Sequence, residues 1–173
     1  MFRLLILLFI LPISTISQPI LKDGLPKDLN QEKVIFLNHE KIEVKADKKN
    51  GALGKYLHLR QINHNVVVEE ANKKLVVAAM SYPFEYAISS YSQYESILKA
   101  GYKYVLISNV YEYQHLFFQP TEDELIVFEY FLLDTKNNVA FKVFEMDEMK
   151  VYDSKMMIRK LNKKLKKHYS ESY

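Results

Sequence analysis

The sequence predicts a mixed α/β domain, a small sheet of about five strands in the element order β-α-β-α-β-β-β-α with helices packed on it. Three observations carry that class. Short β-branched and aromatic runs of strand length alternate with stretches in which apolar residues recur every three or four positions. The run Val105, Leu106, Ile107 is apolar without alternation, the pattern of a strand buried on both faces in the middle of a sheet. Finally, "ELIVFEYFLLD" and "VAFKVFEM" are separated only by the polar "TKNN", a hairpin in which Asn137 and Asn138 suit positive φ. With 173 residues, 49% of them apolar, the chain supplies one core of ordinary size.

The elements follow in order. "MFRLLILLFILPISTISQP" has a basic start at Arg3, an apolar run from Leu4 to Ile13, and small residues at Thr15 and Ser17. That is a cleavable secretory signal over residues 1–17, since an apolar run this short falls well below the ~20 residues a membrane-spanning helix needs. Residues 18–32, rich in Pro, Gly, Asp and Lys without a period, predict an extended, mobile linker. A single domain is expected over 33–169, and a disordered tail over 170–173. Its first strand runs from about Lys33 to Asn38. A helix follows, with Asn63 or Asn65 as a cap or with an earlier start in "LGKYLHLRQIN", and Val68, Ala71, Leu75 and Ala79 form its inward stripe. Pro83 prevents continuation past Tyr82. "FEYAIS" is the second strand. The next helix, "SSYSQYESILKAG", takes Ser90 or Ser92 as cap, turns Tyr94, Ile97 and Leu98 inward, and closes at Gly101 in the left-handed conformation. After the third strand and the hairpin, "DSKMMIRKLNKKLKKHY" is a terminal helix capped by Asp153 or Ser154, with Met157, Leu161 and Leu165 on one stripe.

Charge is unevenly spread. Between Lys155 and Lys167 lie seven Lys or Arg and no acid, whereas the rest of the chain beyond the signal has 16 basic and 21 acidic residues. A polarised chain of this kind is not a nucleic-acid binder, for which a broad basic face is expected. Cysteine is absent, which removes disulfides, thiol catalysis, cysteine-ligated zinc and a lipidated cysteine anchor.

"YPFEYAISSYSQYESILKAGYKYVLISNVYEY" resembles the pattern of the envelope domains grouped around the amino-terminal domain of TolB and the CsgG and LpoB families. There a strand ending near a serine or arginine leads to a short helix, a glycine, and "Y-V-L" entering a central strand; "FEYFLLDTKNNVAF" is similar to the hairpin that follows. The resemblance spans Lys33 to Met146 and is most specific from Tyr82 to Phe141, with Gly101, Tyr102 and Lys103 standing where Gly-Ala-Asp is usual. It implies a periplasmic α/β domain that binds other proteins or assists envelope assembly, without catalysis.

Catalytic signatures are weak. His58 and His64 are six apart, whereas a helical zinc pair needs about one turn, so surface or capping roles are expected for them; His39 and Glu40 form an adjacent pair and His115 has no partner. No Gly-x-Ser-x-Gly elbow exposes a serine, and the four glycines form no phosphate loop. Glu122, Asp123 and Glu124 belong to a solvated turn. No enzyme, metal or cofactor is therefore expected. The candidate interaction surface is Tyr111 and Tyr113, on an open sheet face, together with Lys160, Lys163, Lys164 and Lys167 of the terminal helix. The partners expected are envelope proteins, with anionic lipid or cell-wall polymer as further contacts of the basic helix. An alternative is a small-ligand or lipid binder whose Tyr and Phe enclose a pocket.

Overall fold

The structure, a computed structural model, describes residues 19–93, 96, 99–108, 127–147 and 150–170. The predicted signal, Tyr94, Ile97, Leu98, Tyr111, Tyr113, His115, Phe117, Phe118, the predicted acidic turn at 122–124 and residues 171–173 lie outside them. Strands β1 (Ile20–Asp23), β2 (Val34–Asn38), β3 (Tyr86–Ser90), β4 (Tyr104–Ser108), β5 (Val127–Asp134) and β6 (Val139–Asp147) form one sheet in the spatial order β1-β6-β5-β4-β2-β3. The β2/β3, β2/β4 and β1/β6 pairs are parallel, and β4/β5 and β5/β6 are antiparallel. The α/β class stands, with six strands where about five were expected. As its unalternating pattern predicts, β4 is interior to the sheet and buried along its whole length.

The extra strand comes from the predicted linker. Ile20–Asp23 pairs with Val139–Lys142 at the sheet edge, and Leu29, a few residues on, is fully buried. Asp28 accepts a 2.5 Å hydrogen bond from the Tyr104 hydroxyl and forms an ion pair with Lys103, fastening this segment to the start of β4. Composition marks these residues as turn formers, but two well-spaced leucines and one acid are enough to hold them down.

Helix α1 (Gly51–Ala79) starts well before Asn63 and Asn65. Neither caps it. Asn65 instead holds the backbone of residue 42, accepting from the Ile42 N–H and donating to its carbonyl, both at 2.8 Å. Asn72 grips the His39 backbone in the same two-handed way at 2.9 Å. The Gln61 side-chain oxygen accepts from the Lys45 and Ala46 N–H groups, and His58 bonds the Ala46 carbonyl. Residues 39–46 therefore run along the helix with several main-chain groups bonded by the side chains of His58, Gln61, Asn65 and Asn72 in place of a strand partner.

The terminal helix α2 (Ser154–Ser170) is capped by Asp153, whose Oδ1 accepts from the Met156 N–H at 2.9 Å. It buries Ser154, Ile158, Leu161 and Leu165. The inward stripe thus takes Ile158 in place of Met157, which is half-buried. Both helices cover the same sheet face, where Leu75 of α1 and Met157 of α2 meet Phe36, Leu106 and Tyr130. Gly101 has φ +87° and Asn138 φ +52°, as their turns demand; Asn137 does not enter the left-handed region.

Candidate functional site

Docking one apolar stripe of α2 divides its cations into two rows. Lys155, Arg159 and Lys163 recur at four-residue spacing and, with Lys166, occupy one flank; Lys160 and Lys164 occupy the other. The first row walls an open groove of about 720 Å³ between α2 and the turn that ends α1. Its floor is apolar: Pro83, Phe84, Leu165 and Tyr169. Phe84 and Tyr169 meet edge to face at 5.8 Å, and the Tyr169 hydroxyl accepts a 3.0 Å hydrogen bond from the Asn30 N–H, so the ring is held in place. Burial pushes the Tyr169 hydroxyl pKa up. Across the groove, Asn162 donates to the Ser81 carbonyl at 2.8 Å and tethers helix to turn.

The two rows differ in compensation. Lys160 donates to the Glu145 carbonyl at 2.5 Å, and both Lys160 and Lys164 border a surface carrying Asp23, Glu145 and Asp147. By contrast, Lys155, Arg159, Lys163 and Lys166 make no ion pair among the described residues. The acid nearest in sequence to the groove floor, Glu85, is bound to Lys33 at 3.0 Å. Among the described residues, the groove row is a line of positive charge without acidic partners beside an aromatic floor.

Of the predicted surface residues, Lys163 lies on this groove, Lys160 and Lys164 face the other way, and Lys167 sits exposed in the last helical turn. They do not form one surface. Tyr111 and Tyr113 lie outside the described residues. Sequence reasoning missed Arg159 as a groove residue and missed the floor; the four-residue spacing of Lys155, Arg159 and Lys163 was the available signal, whereas Pro83 and Phe84 join it only through tertiary packing.

Beyond the C-terminal ends of β2 and β3 lies a cluster of polar side chains: Glu40, Ser90, Ser92 and His64. Its groups are engaged with one another. Glu40 accepts from the Ser92 N–H at 3.2 Å and the Ser92 hydroxyl at 2.6 Å, and Ser90 and Ser92 share a 2.9 Å hydrogen bond. These serines tie the β3 exit to the β2 exit; the start of the helix they were expected to cap lies partly outside the described residues. His64, expected at the surface, is fully buried; Nδ1 meets the Tyr152 hydroxyl and Nε2 the Glu40 carbonyl, each at 2.7 Å. No group of three metal-ligating side chains occurs among the described residues. Between α2 and the sheet, where an aromatic-lined pocket would enclose a ligand, the space is about 20 Å³, room for about one water.

No protein family, curated protein or solved structure matches the chain.

Proposed function

We propose that this chain is an exported, non-enzymatic envelope protein that works through protein contacts, docking an acidic segment of its partner in the groove between α2 and the Ser81–Glu85 turn. The observation that carries this reading is the row Lys155, Arg159, Lys163, Lys166, solvent-facing and without acidic counterparts among the described residues, along an aromatic floor. Charge directs the encounter, and the floor supplies the apolar contact from which affinity comes. The export reading rests on the signal at residues 1–17, and the envelope reading on the resemblance between Tyr82 and Phe141. His64, with both ring nitrogens committed to structural hydrogen bonds, fits a scaffold better than a base. The described residues contain no helix long and apolar enough to cross a membrane.

The test is fluorescence anisotropy with a labelled peptide of alternating Glu and Phe or Leu, set beside vesicles containing phosphatidylglycerol. Binding that weakens with salt, is lost in Lys155→Glu/Arg159→Glu/Lys163→Glu and survives in Lys160→Glu/Lys164→Glu supports the reading. Vesicle binding without peptide binding reassigns the groove to anionic lipid. Equal loss in both variants overturns the groove as the site.

A further inference from the structure

Helix α1 is apolar on two opposite sides. Its inner side, with Val68, Ala71, Leu75 and Ala79, belongs to the core. On the outer side Leu59, Ile62, Val66, Val76, Val77 and Met80 are 40 to 75% exposed, and at 3.6 residues per turn they fall along a single stripe. The spacing bears this out: Val66 and Val77 are eleven residues apart, close to three turns, and Met80 follows within one more. A soluble helix ordinarily carries its polar residues on the side away from the core, and an apolar stripe there marks a contact surface. The stripe is interrupted once, at its middle, by Glu69 and Glu70 followed by Lys73 and Lys74.

This arrangement is self-complementary in one orientation only. If a second α1 runs antiparallel in the register that sets Val66 opposite Val77, then Glu70 stands opposite Lys73, Glu69 opposite Lys74, and Ile62 falls within one residue of the position opposite Met80. Two-fold symmetry repeats every contact. A parallel pairing in register would set Glu70 against Glu70 and Lys73 against Lys73. The in-chain pairs at this point do not compete strongly. Glu70 and Lys74 are 3.8 Å apart with both side chains more than 60% exposed, and the Lys41–Glu69 pair is similarly solvated. The 39–46 segment runs along one flank of the stripe and α2 packs elsewhere on the helix, so that among the described residues the stripe is exposed.

We infer that the occupant of this stripe is a second copy of the chain, docked antiparallel through α1 with its two-fold axis between Glu70 and Lys73. This contact is separate from the α2 groove and does not depend on it.

Charge exchange provides the test. In E70K the symmetric dimer would set two lysines against each other at both copies of the Glu70–Lys73 contact, and in K73E two glutamates. An equimolar mixture of the two variants restores both opposite-charge pairs. Sedimentation equilibrium over about a hundredfold concentration range should give dimer for the unaltered chain, at least about tenfold weaker association for each variant alone, and recovery on mixing. All the altered positions are exposed, so far-ultraviolet circular dichroism should be unchanged in each variant, and so should melting at a concentration low enough that every chain is monomeric. A monomeric unaltered chain overturns the inference, as does association equal in all samples or a mixture no tighter than its components. Binding of a monomeric chain to uncharged vesicles, lost in Val66→Asp/Val77→Asp, would assign the stripe to lipid and overturn it also.

Discussion

At the scale of single residues, Asp28 shows how one side chain converts an apparently unstructured segment into part of the fold. Burial alone would raise its pKa, but hydrogen bonds from Lys103 and Tyr104 outweigh that and hold the carboxyl below its ordinary 3.8. Lys103 is shifted the other way, chiefly by its hydrogen bond to Asp28. The sign for stability follows. A depressed carboxyl pKa contributes stability that is fully present above the ordinary value and is lost as pH falls through the folded value. Asp28→Asn keeps the shape and removes the charge. Its urea midpoint should lie below that of the unaltered chain at pH 7, and the gap should close as pH drops below about 4, where both chains carry a neutral side chain. A gap that persists unchanged at low pH would mean that packing around residue 28, and not its charge, secures the segment.

Among the elements, α1 and the 39–46 strip form the unit that periodicity could least reveal. Its inward residues Val68, Ala71, Leu75 and Ala79 were legible because burial against a sheet imposes a 3.6-residue period. The earlier of the two expected starts, in "LGKYLHLRQIN", is close to the observed one at Gly51, but the alternative of Asn63 or Asn65 as cap fails, because the neighbouring 39–46 segment turns Asn65 into a backbone clamp. β1 escaped notice for a related reason: four exposed residues at a sheet edge carry no alternation, and their strand character comes from β6. The hairpin, Gly101 and the docked stripe of α2 were legible because each depends on local chemistry. Within the candidate groove the lysine row could be read from sequence, but its floor could not, since Phe84 and Tyr169 are 85 residues apart in the chain. The clamp itself is testable. Each of Asn65→Ala and Asn72→Ala removes two backbone hydrogen bonds at about 1 kcal/mol apiece, so exchange of the Ile42 and His39 amides respectively should accelerate roughly 30-fold. Alanine returns about 0.5 kcal/mol of helix propensity, so the global melting temperature should move much less than local protection. Equal loss at both levels would make the strip part of the global folding unit.

On the scale of the whole molecule, the first and last described segments both pack onto one sheet, and they do not bear equal weight. β1 exposes all four of its residues, whereas the nine residues after it deliver Leu25, Asp28 and Leu29 to the structure. A chain beginning at Gly24 should therefore melt close to the unaltered protein, because it loses edge hydrogen bonds that water replaces. One beginning at Lys33 loses two buried leucines at about 1.5–3 kcal/mol each and uncovers Lys103 and Tyr104. That loss is comparable to the 5–15 kcal/mol that holds a typical domain together, so the shorter chain should lose its cooperative transition by circular dichroism. The same weighting applies at the other end: a chain stopped at Asp153 removes Ile158, Leu161 and Leu165, all at most 2% exposed, and should also fail to fold. Charge reversal along Lys155, Arg159 and Lys163 leaves those side chains in place and separates the binding role of α2 from its structural one. Should the chain beginning at Lys33 melt as sharply as the full one, the core would be complete without its amino-terminal segment, and residues 24–32 would be cover added to a fold that already stands.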